Sequence, residues 1–241
     1  ALAAMVEGAM VDFDTAMRVE SRYLAGLMTS QVARNMINTF FFNMNSIKGG
    51  QSRPKAAPRY KPQKVGILGA GMMGSGIAYA QASRGIATVL KDVSLEAAEK
   101  GKAYSHKLTQ KRVDKGRMTT DKQQALLSLI QPTASAADLK GCDLIIEAVF
   151  ENRELKARVT QEAEPMLAEG GFFASNTSTL PISGLATASA HANKFVGIHF
   201  FSPVDKMKLV EIIRGAQTDD DTIARAYDYV QALGKLPIVV N

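Results

Sequence analysis

Val65-Gly-Ile-Leu-Gly69-Ala-Gly71-Met-Met-Gly74-Ser-Gly76-Ile-Ala78 decides how this chain is read. A short apolar run, Val65–Leu68, ends in glycines. A stretch rich in small residues (Gly76, Ala78, Ala80, Ala82) then follows as a helix over Ser75–Arg84. Gly69-x-Gly71-x-x-Gly74 in that strand-to-helix setting is a dinucleotide-binding fingerprint. Gly69 makes the tight turn, Gly71 lets backbone approach a pyrophosphate, and Gly74 lets helix pack on strand. Met72 and Met73, set between the glycines, are placed at the cofactor with them. The phosphates would rest on the helix N-terminus, where free N–H groups favour anions. Asp92 stands 21 residues after Gly71, at the end of a second apolar run, Ala87–Leu90. A carboxylate there accepts hydrogen bonds from ribose hydroxyls and repels a 2′-phosphate. Its competing role is a helix cap, for which Ser94 is the better placed residue. The expected cofactor is NAD.

Outward from the fingerprint, strands and helices alternate. The pattern predicts helices over Ser94–Val113, Thr119–Ile130, Asn152–Ala168 and Asp219–Leu233. It predicts strands at Leu144–Ile146, Phe172–Ser175, Phe195–Phe200, Leu209–Ile213 and Ile238–Val240. Such alternation implies an α/β fold, a Rossmann-like, doubly wound and mostly parallel sheet, over residues 64–241.

Residues 1–47 read differently. They lack proline, and their apolar residues, six methionines among them, fall at helical spacing. Val32, Met36, Phe40 and Met44 step by four along one expected helix face. These helices are too few to bury a core. They are read as a connector packing on a neighbouring domain, with a promiscuous methionine surface as the alternative. Between the halves, residues 48–63 and the adjoining Lys64 contain six basic residues, no acid, and linker-like Gly, Pro and Ser. Removing those six from the 29 Lys and Arg leaves 23, equal to the 23 Asp and Glu. The net charge of +6 therefore resides in the linker and does not indicate a nucleic-acid partner. A solvated connector is the expectation, and a docking strip for acidic or phosphate-bearing partners the alternative. No apolar run is long enough for a membrane span. One cysteine, Cys142, allows no disulfide within the chain and fits a reducing compartment. No His, Cys or Asp cluster has metal-ligand spacing, and His106 and His191 read as solvated surface.

Four further stretches complete the picture: Glu147-Ala-Val-Phe-Glu151, Ser175-Asn-Thr-Ser178, His199-Phe-Phe-Ser-Pro203 and Leu209-Val-Glu211. Together with the fingerprint, in this order, they resemble the L-3-hydroxyacyl-CoA dehydrogenase family over residues 64–241. The resemblance is greatest to the form fused into the alpha subunit of the multifunctional fatty acid oxidation complex. It implies oxidation of (S)-3-hydroxyacyl-CoA to 3-ketoacyl-CoA in fatty acid β-oxidation. It also implies a cytoplasmic setting, with an organelle matrix as the alternative, and docking to hydratase and thiolase components. The upstream helices resemble the connector leaving an enoyl-CoA hydratase domain. In the family a helical domain follows the last strand, closes the cleft and forms the dimer contact. Without it the chain is expected to fold and bind NAD, to turn over substrate slowly, and to self-associate through exposed apolar surface.

The resemblance assigns His199 and Glu211 as a catalytic pair. Chemistry supports this separately, because a neutral imidazole can take a hydroxyl proton near neutral pH and a carboxylate can steady the imidazolium. Without Glu211, His199 would read as a histidine satisfied at a strand end. The family places Ser178 at the substrate oxygen near the nicotinamide; as bare sequence Ser178 is equally a helix cap before Pro181. Ser202 stands where many relatives carry Asn, and the resemblance implies that it is a hydrogen-bond donor to substrate. Ala148, Glu151 and Lys156 match cofactor positions, although Glu151 and Lys156 alone would read as an exposed helix start. Two rivals remain. A dehydrogenase of free hydroxy acids would be expected to use a lysine base, and an NAD-holding assembly module would have no need of Glu211.

Overall fold

The computed structural model describes residues 1–241, which divide into two compact units, Ala1–Gln51 and Ser52–Asn241. The first unit consists of helices α1 (Leu2–Gly8), α2 (Phe13–Met28), α3 (Gln31–Ile37) and α4 (Met44–Lys48), with a π-helical turn at Asn38–Asn43. Asp12 and Ser30 cap α2 and α3 through their side-chain oxygens. No residue in these helices is buried. Val32, Met36 and Phe40 are exposed and Met44 is half-buried, with the π-helical turn between Met36 and Met44.

The second unit is the expected α/β fold. Its elements are β1 (Lys64–Leu68), α5 (Met72–Ala82), β2 (Ala87–Lys91), α6 (Leu95–Asp114), α7 (Thr120–Ser128), β3 (Ile130–Thr133), β4 (Cys142–Glu147) and α8 (Arg153–Ala163). There follow β5 (Leu167–Ser175), α9 (Ile182–Leu185), β6 (Phe195–Phe200), β7 (Leu209–Ile213), α10 (Asp220–Ala232) and β8 (Leu236–Val240). The eight strands lie in the order β3-β2-β1-β4-β5-β6-β7-β8. All neighbours pair parallel except β6 and β7. Strands covered on both faces need apolar residues throughout: Val65, Ile67, Leu144, Ile145, Ile146, Val196 and Ile198 are each fully buried. Successive crossovers run outward in opposite directions from β1 and β4. The loops after these two strands therefore part, and a crevice opens at their carboxyl ends.

Two elements differ from expectation. The helix expected through Ile130 stops at Ser128, and β3 follows, its Pro132 tolerated because β3 is an edge strand. The helix expected through Ala168 stops at Ala163, because β5 begins at Leu167 to pair with Cys142.

The solvated connector is corrected from residue 52 onward. Arg53 is buried, and its guanidinium gathers the segment around it by donating to the carbonyl oxygens of Pro54, Ala57 and Pro58 at 2.7–3.0 Å. The same group grips Asp228 of α10 with two bonds at 2.7 and 2.8 Å. Arg59 and the Tyr60 N–H complete the carboxylate's shell at 2.9 Å each. Arg225 lies over the rings of Tyr60 and Phe172 at 4.6 and 5.2 Å. Composition identified irregular backbone correctly, but its burial depends on an acid 175 positions away.

Burial alone would raise the Asp228 pKa, but Arg53, the Tyr60 amide and Arg59 together hold it below the ordinary 3.8. The stabilisation it contributes is therefore complete above pH 3.8 and is lost as pH falls through the lower value of the folded state. Asp228→Ala leaves a buried guanidinium without its counter-charge and should cost about 3–5 kcal/mol. Urea denaturation at neutral pH measures the loss; repeated at pH 3, it should show a smaller difference between variant and parent.

Candidate active site

The crevice carries the fingerprint where the fold predicts it. Gly69 takes φ +93°, in the left-handed region that favours glycine, and a Cβ there would stand 2.8 Å from the Ala148 carbonyl oxygen. At Gly74 a Cβ would fall 1.8 Å from the Gly69 carbonyl oxygen, so only glycine lets α5 begin this close to β1. Gly71, by contrast, faces open space, with no atom within 4 Å of an added Cβ. It is also the N-cap of α5, and no side chain caps that helix. Asp92 accepts the Ala70 N–H at 2.6 Å and the Val93 N–H at 2.7 Å, bracing the glycine turn from the end of β2. It does not cap α6; Ser94 does, through the Ala97 N–H. A carboxylate has about four acceptor sites, so Asp92 keeps capacity for two hydroxyls.

An open cleft of about 310 Å³ at the same edge is lined by Met73, Ala148, Glu151, Ser178, His199 and Ser202. His199 and Glu211 face each other across the antiparallel β6–β7 pair, with Nδ1 2.8 Å from Oε2. Glu211 is acceptor-only when ionised, so the contact selects the tautomer with the proton on Nδ1, in which a neutral ring presents its lone pair at Nε2. Phe201 packs against the imidazole, with ring centroids 4.6 Å apart. Asn176, for which the sequence suggested no role, accepts the Phe200 N–H at 2.9 Å and so ties the Ser178 loop to the histidine strand. Ser202 reaches the Met72 sulfur at 3.7 Å. Ser178 does not cap a helix: α9 has Pro181 at its N-cap, and the Ser178 N–H donates to Glu151 at 3.2 Å.

Lys156 corrects the reading of an exposed helix start. It is fully buried on α8 and does not line the cleft. Its ammonium meets Glu147 at 2.8 and 3.0 Å and Glu151 at 3.2 Å. Glu147, at the end of β4, is buried as well and also accepts the Ser175 hydroxyl and the Val149 N–H. Glu151 gathers Thr177 and the amides of Ser178 and Thr179. Burial would raise its pKa, but the Thr177 hydroxyl and Lys156 prevail and draw it down to about 2. The cleft is thus floored by a carboxylate that stays ionised. Glu147 and Thr177 went unassigned in the sequence; the available signal was an acid ending an otherwise apolar central strand.

Cys142 is buried, and desolvation pushes its thiol up to about 11, so it is no nucleophile. No group of three His, Cys, Asp or Glu side chains is placed to hold a metal, and no helix is long and apolar enough to cross a membrane.

The family model for the 3-hydroxyacyl-CoA dehydrogenase NAD-binding domain matches residues 64–241. The chain belongs to that family. Solved structures similar to it include the (S)-3-hydroxybutyryl-CoA dehydrogenase of Ralstonia eutropha, 40% identical with a TM-score of 0.72. That match covers 75% of this chain and 64% of the relative. The 3-hydroxybutyryl-CoA dehydrogenase of Escherichia coli K12 is 29% identical, TM-score 0.71, over 75% of this chain and 38% of that one. The dehydrogenase part of multifunctional enzyme 1 from C. elegans is 28% identical, TM-score 0.67, over 76% and 42%. The chain thus spans less than two thirds of the length of each of these relatives.

NAD is the cofactor of this family domain, and the residues present fit it. Open space before Gly71 and an uncapped helix N-terminus suit a pyrophosphate, and Asp92 suits ribose hydroxyls. Asp92→Ala removes charge-assisted hydrogen bonds and should weaken NAD binding by about 1.5–3 kcal/mol, while NADP binding changes less. Calorimetric titration of both nucleotides decides this; equal affinities in the unsubstituted protein would exclude the assigned role.

Proposed function

We propose that the protein oxidises (S)-3-hydroxyacyl-CoA to 3-ketoacyl-CoA with NAD, as a step of fatty acid β-oxidation. In this reading the helices of residues 1–47 lead from an enoyl-CoA hydratase-like domain, and the chain is a portion of a cytoplasmic multifunctional enzyme that docks with thiolase. The similarity to the dehydrogenase part of a multifunctional enzyme supports that placement. The observation that carries the chemistry is the His199–Glu211 contact at 2.8 Å on the cleft wall.

NAD, held by the fingerprint residues, would supply the acceptor for the hydride that the alcohol carbon loses. His199 Nε2 takes the hydroxyl proton, and Glu211, already receiving the Nδ1 proton, holds the ring and balances the imidazolium charge. Ser178 and Ser202 hold the substrate oxygen from the two sides of the cleft. Gly69, Gly71, Met72, Met73, Gly74, Asp92 and Ala148 form the cofactor's bed. Glu151, which keeps its carboxylate ionised at the cleft floor, Lys156, paired to it from behind, and Ser178 complete the cofactor side of the site.

In the full-length protein, His199→Ala should lower kcat on 3-hydroxybutyryl-CoA by about 10²–10⁴-fold and leave NAD affinity unchanged. Glu211→Gln should slow turnover less, since the ring remains. NADH formation with the CoA ester and with free 3-hydroxybutyrate measures both base and substrate class. An ordinary rate from His199→Ala removes the mechanism, and preference for the free acid removes the acyl-CoA assignment.

A further inference from the structure

Residues 201–208 join β6 to β7 and carry Ser202 between His199 and Glu211 along the chain. The loop makes a turn of its own, in which the amides of Lys206 and Met207 both donate to the Pro203 carbonyl oxygen at 3.0 Å. That turn is gripped from outside. Lys235, the residue before β8, donates from Nζ to the carbonyl oxygens of Val204 and Met207, each at 2.6 Å. The next residue, Leu236, donates its N–H to the Lys208 carbonyl oxygen at 2.8 Å, which fixes the far end of the loop. On the other side, Tyr104 of α6 donates to Asp205 at 2.9 Å. Val204 is buried against α5, where a Cβ on Gly76 would stand 2.9 Å from the Val204 Cβ.

A partly buried ammonium loses hydration, and its hydrogen bonds must offset that loss. The two carbonyls that Lys235 takes lie outside the strand ladder, so removing the ammonium takes away a charge-assisted bond from each. Burial lowers the Lys235 pKa, and Asp205 opposes the shift. The lysine sits 28 and 31 positions from the carbonyls it holds. It therefore binds the loop to a different part of the fold and does not merely close a local turn.

The geometry points to Lys235 as a positioning residue for the proposed oxidation: by tying Val204 and Met207 to the root of β8, it holds Ser202 at the cleft beside His199. This rests on the reaction proposed above, to which it adds a residue remote from the reacting atoms. Tyr104 pins the same loop from α6.

Lys235→Met keeps an apolar stem and removes the donor. In the full-length protein, kcat on 3-hydroxybutyryl-CoA should fall by about 10- to 100-fold, the scale of a substrate contact displaced by roughly 1 Å. NAD affinity by calorimetry should not change. Hydrogen exchange at the Lys206 and Met207 amides should quicken about 10-fold, the equivalent of one lost charge-assisted bond, while the β6 amides stay protected. Lys235→Arg should recover part of kcat, and Tyr104→Phe, a smaller change, should quicken the same two amides less. Unchanged kcat in Lys235→Met overturns the inference, as does unchanged exchange at residues 206 and 207, or a lowered melting temperature with kcat intact. Inactivity of the unsubstituted protein on the substrate would instead overturn the proposed function, and the exchange measurement would still decide whether Lys235 holds the loop.

Discussion

Helix α5 starts so near the end of β1 that the space for a Cβ on Gly74 is already taken by the Gly69 carbonyl oxygen. Much of the site follows from that approach. It aims the uncapped N-terminus of α5 at the crevice and leaves open space in front of Gly71. It also brings the glycine turn within reach of Asp92, whose carboxylate braces the Ala70 amide. A methyl group at Gly74 would move the helix, and with it Met72, Met73 and the Val204 contact at Gly76. Close packing transmits such shifts, because interiors have no slack to absorb them.

Buried charge organises the rest. Beneath the cleft, Lys156 lies between Glu147 and Glu151, and the hydroxyls of Ser175 and Thr177 close the remaining acceptor positions. On α10, Asp228 collects Arg53, Arg59 and the Tyr60 amide. Neither cluster would be tolerated half-satisfied, since an unpaired buried charge costs several kcal/mol. Both join segments far apart in sequence, and both fix irregular backbone: the Thr177–Thr179 loop in one case, residues 53–60 in the other. At these places the fold gains definition that strand and helix ladders do not supply.

The β6–β7 pairing shows how strand register brings an imidazole and a carboxylate together. His199 and Glu211 oppose each other because β7 returns antiparallel after a short loop, in an otherwise parallel sheet. Opposed residues on neighbouring strands have Cβ atoms about 4.5–5.5 Å apart, the right reach for an imidazole to meet a carboxylate. The 201–208 loop that joins the two strands is itself held from outside, by Lys235 and Tyr104.

Local pattern was sufficient for the strands and helices around the fingerprint. Apolar runs, glycine spacing and caps such as Ser94 act between residues a few positions apart, so β1, α5, β2, β6 and β7 were legible without coordinates. β3 was not: Ile130 was assigned to the preceding helix, and only an edge place in the sheet makes a strand containing Pro132 acceptable. Nor does a period of four announce the π-helical turn at Asn38–Asn43.

The sequence by itself determined the nucleotide fingerprint and the alternation of strand and helix, and it singled out Asp92, His199 and Glu211 at the ends and pairing of strands. Only the tertiary structure decided that Lys156 is enclosed between two carboxylates, that Arg53 is a buried anchor in a stretch that reads as linker, and that Lys235 grips the loop carrying Ser202. The reason is physical. A fingerprint depends on steric and hydrogen-bonding rules within one turn of chain. Whether a charged side chain is solvated or buried depends on how the fold encloses it. Lys156 finds its carboxylates within nine positions, whereas Lys235 and Arg53 meet partners 28 to 175 positions away, and local pattern reveals neither outcome.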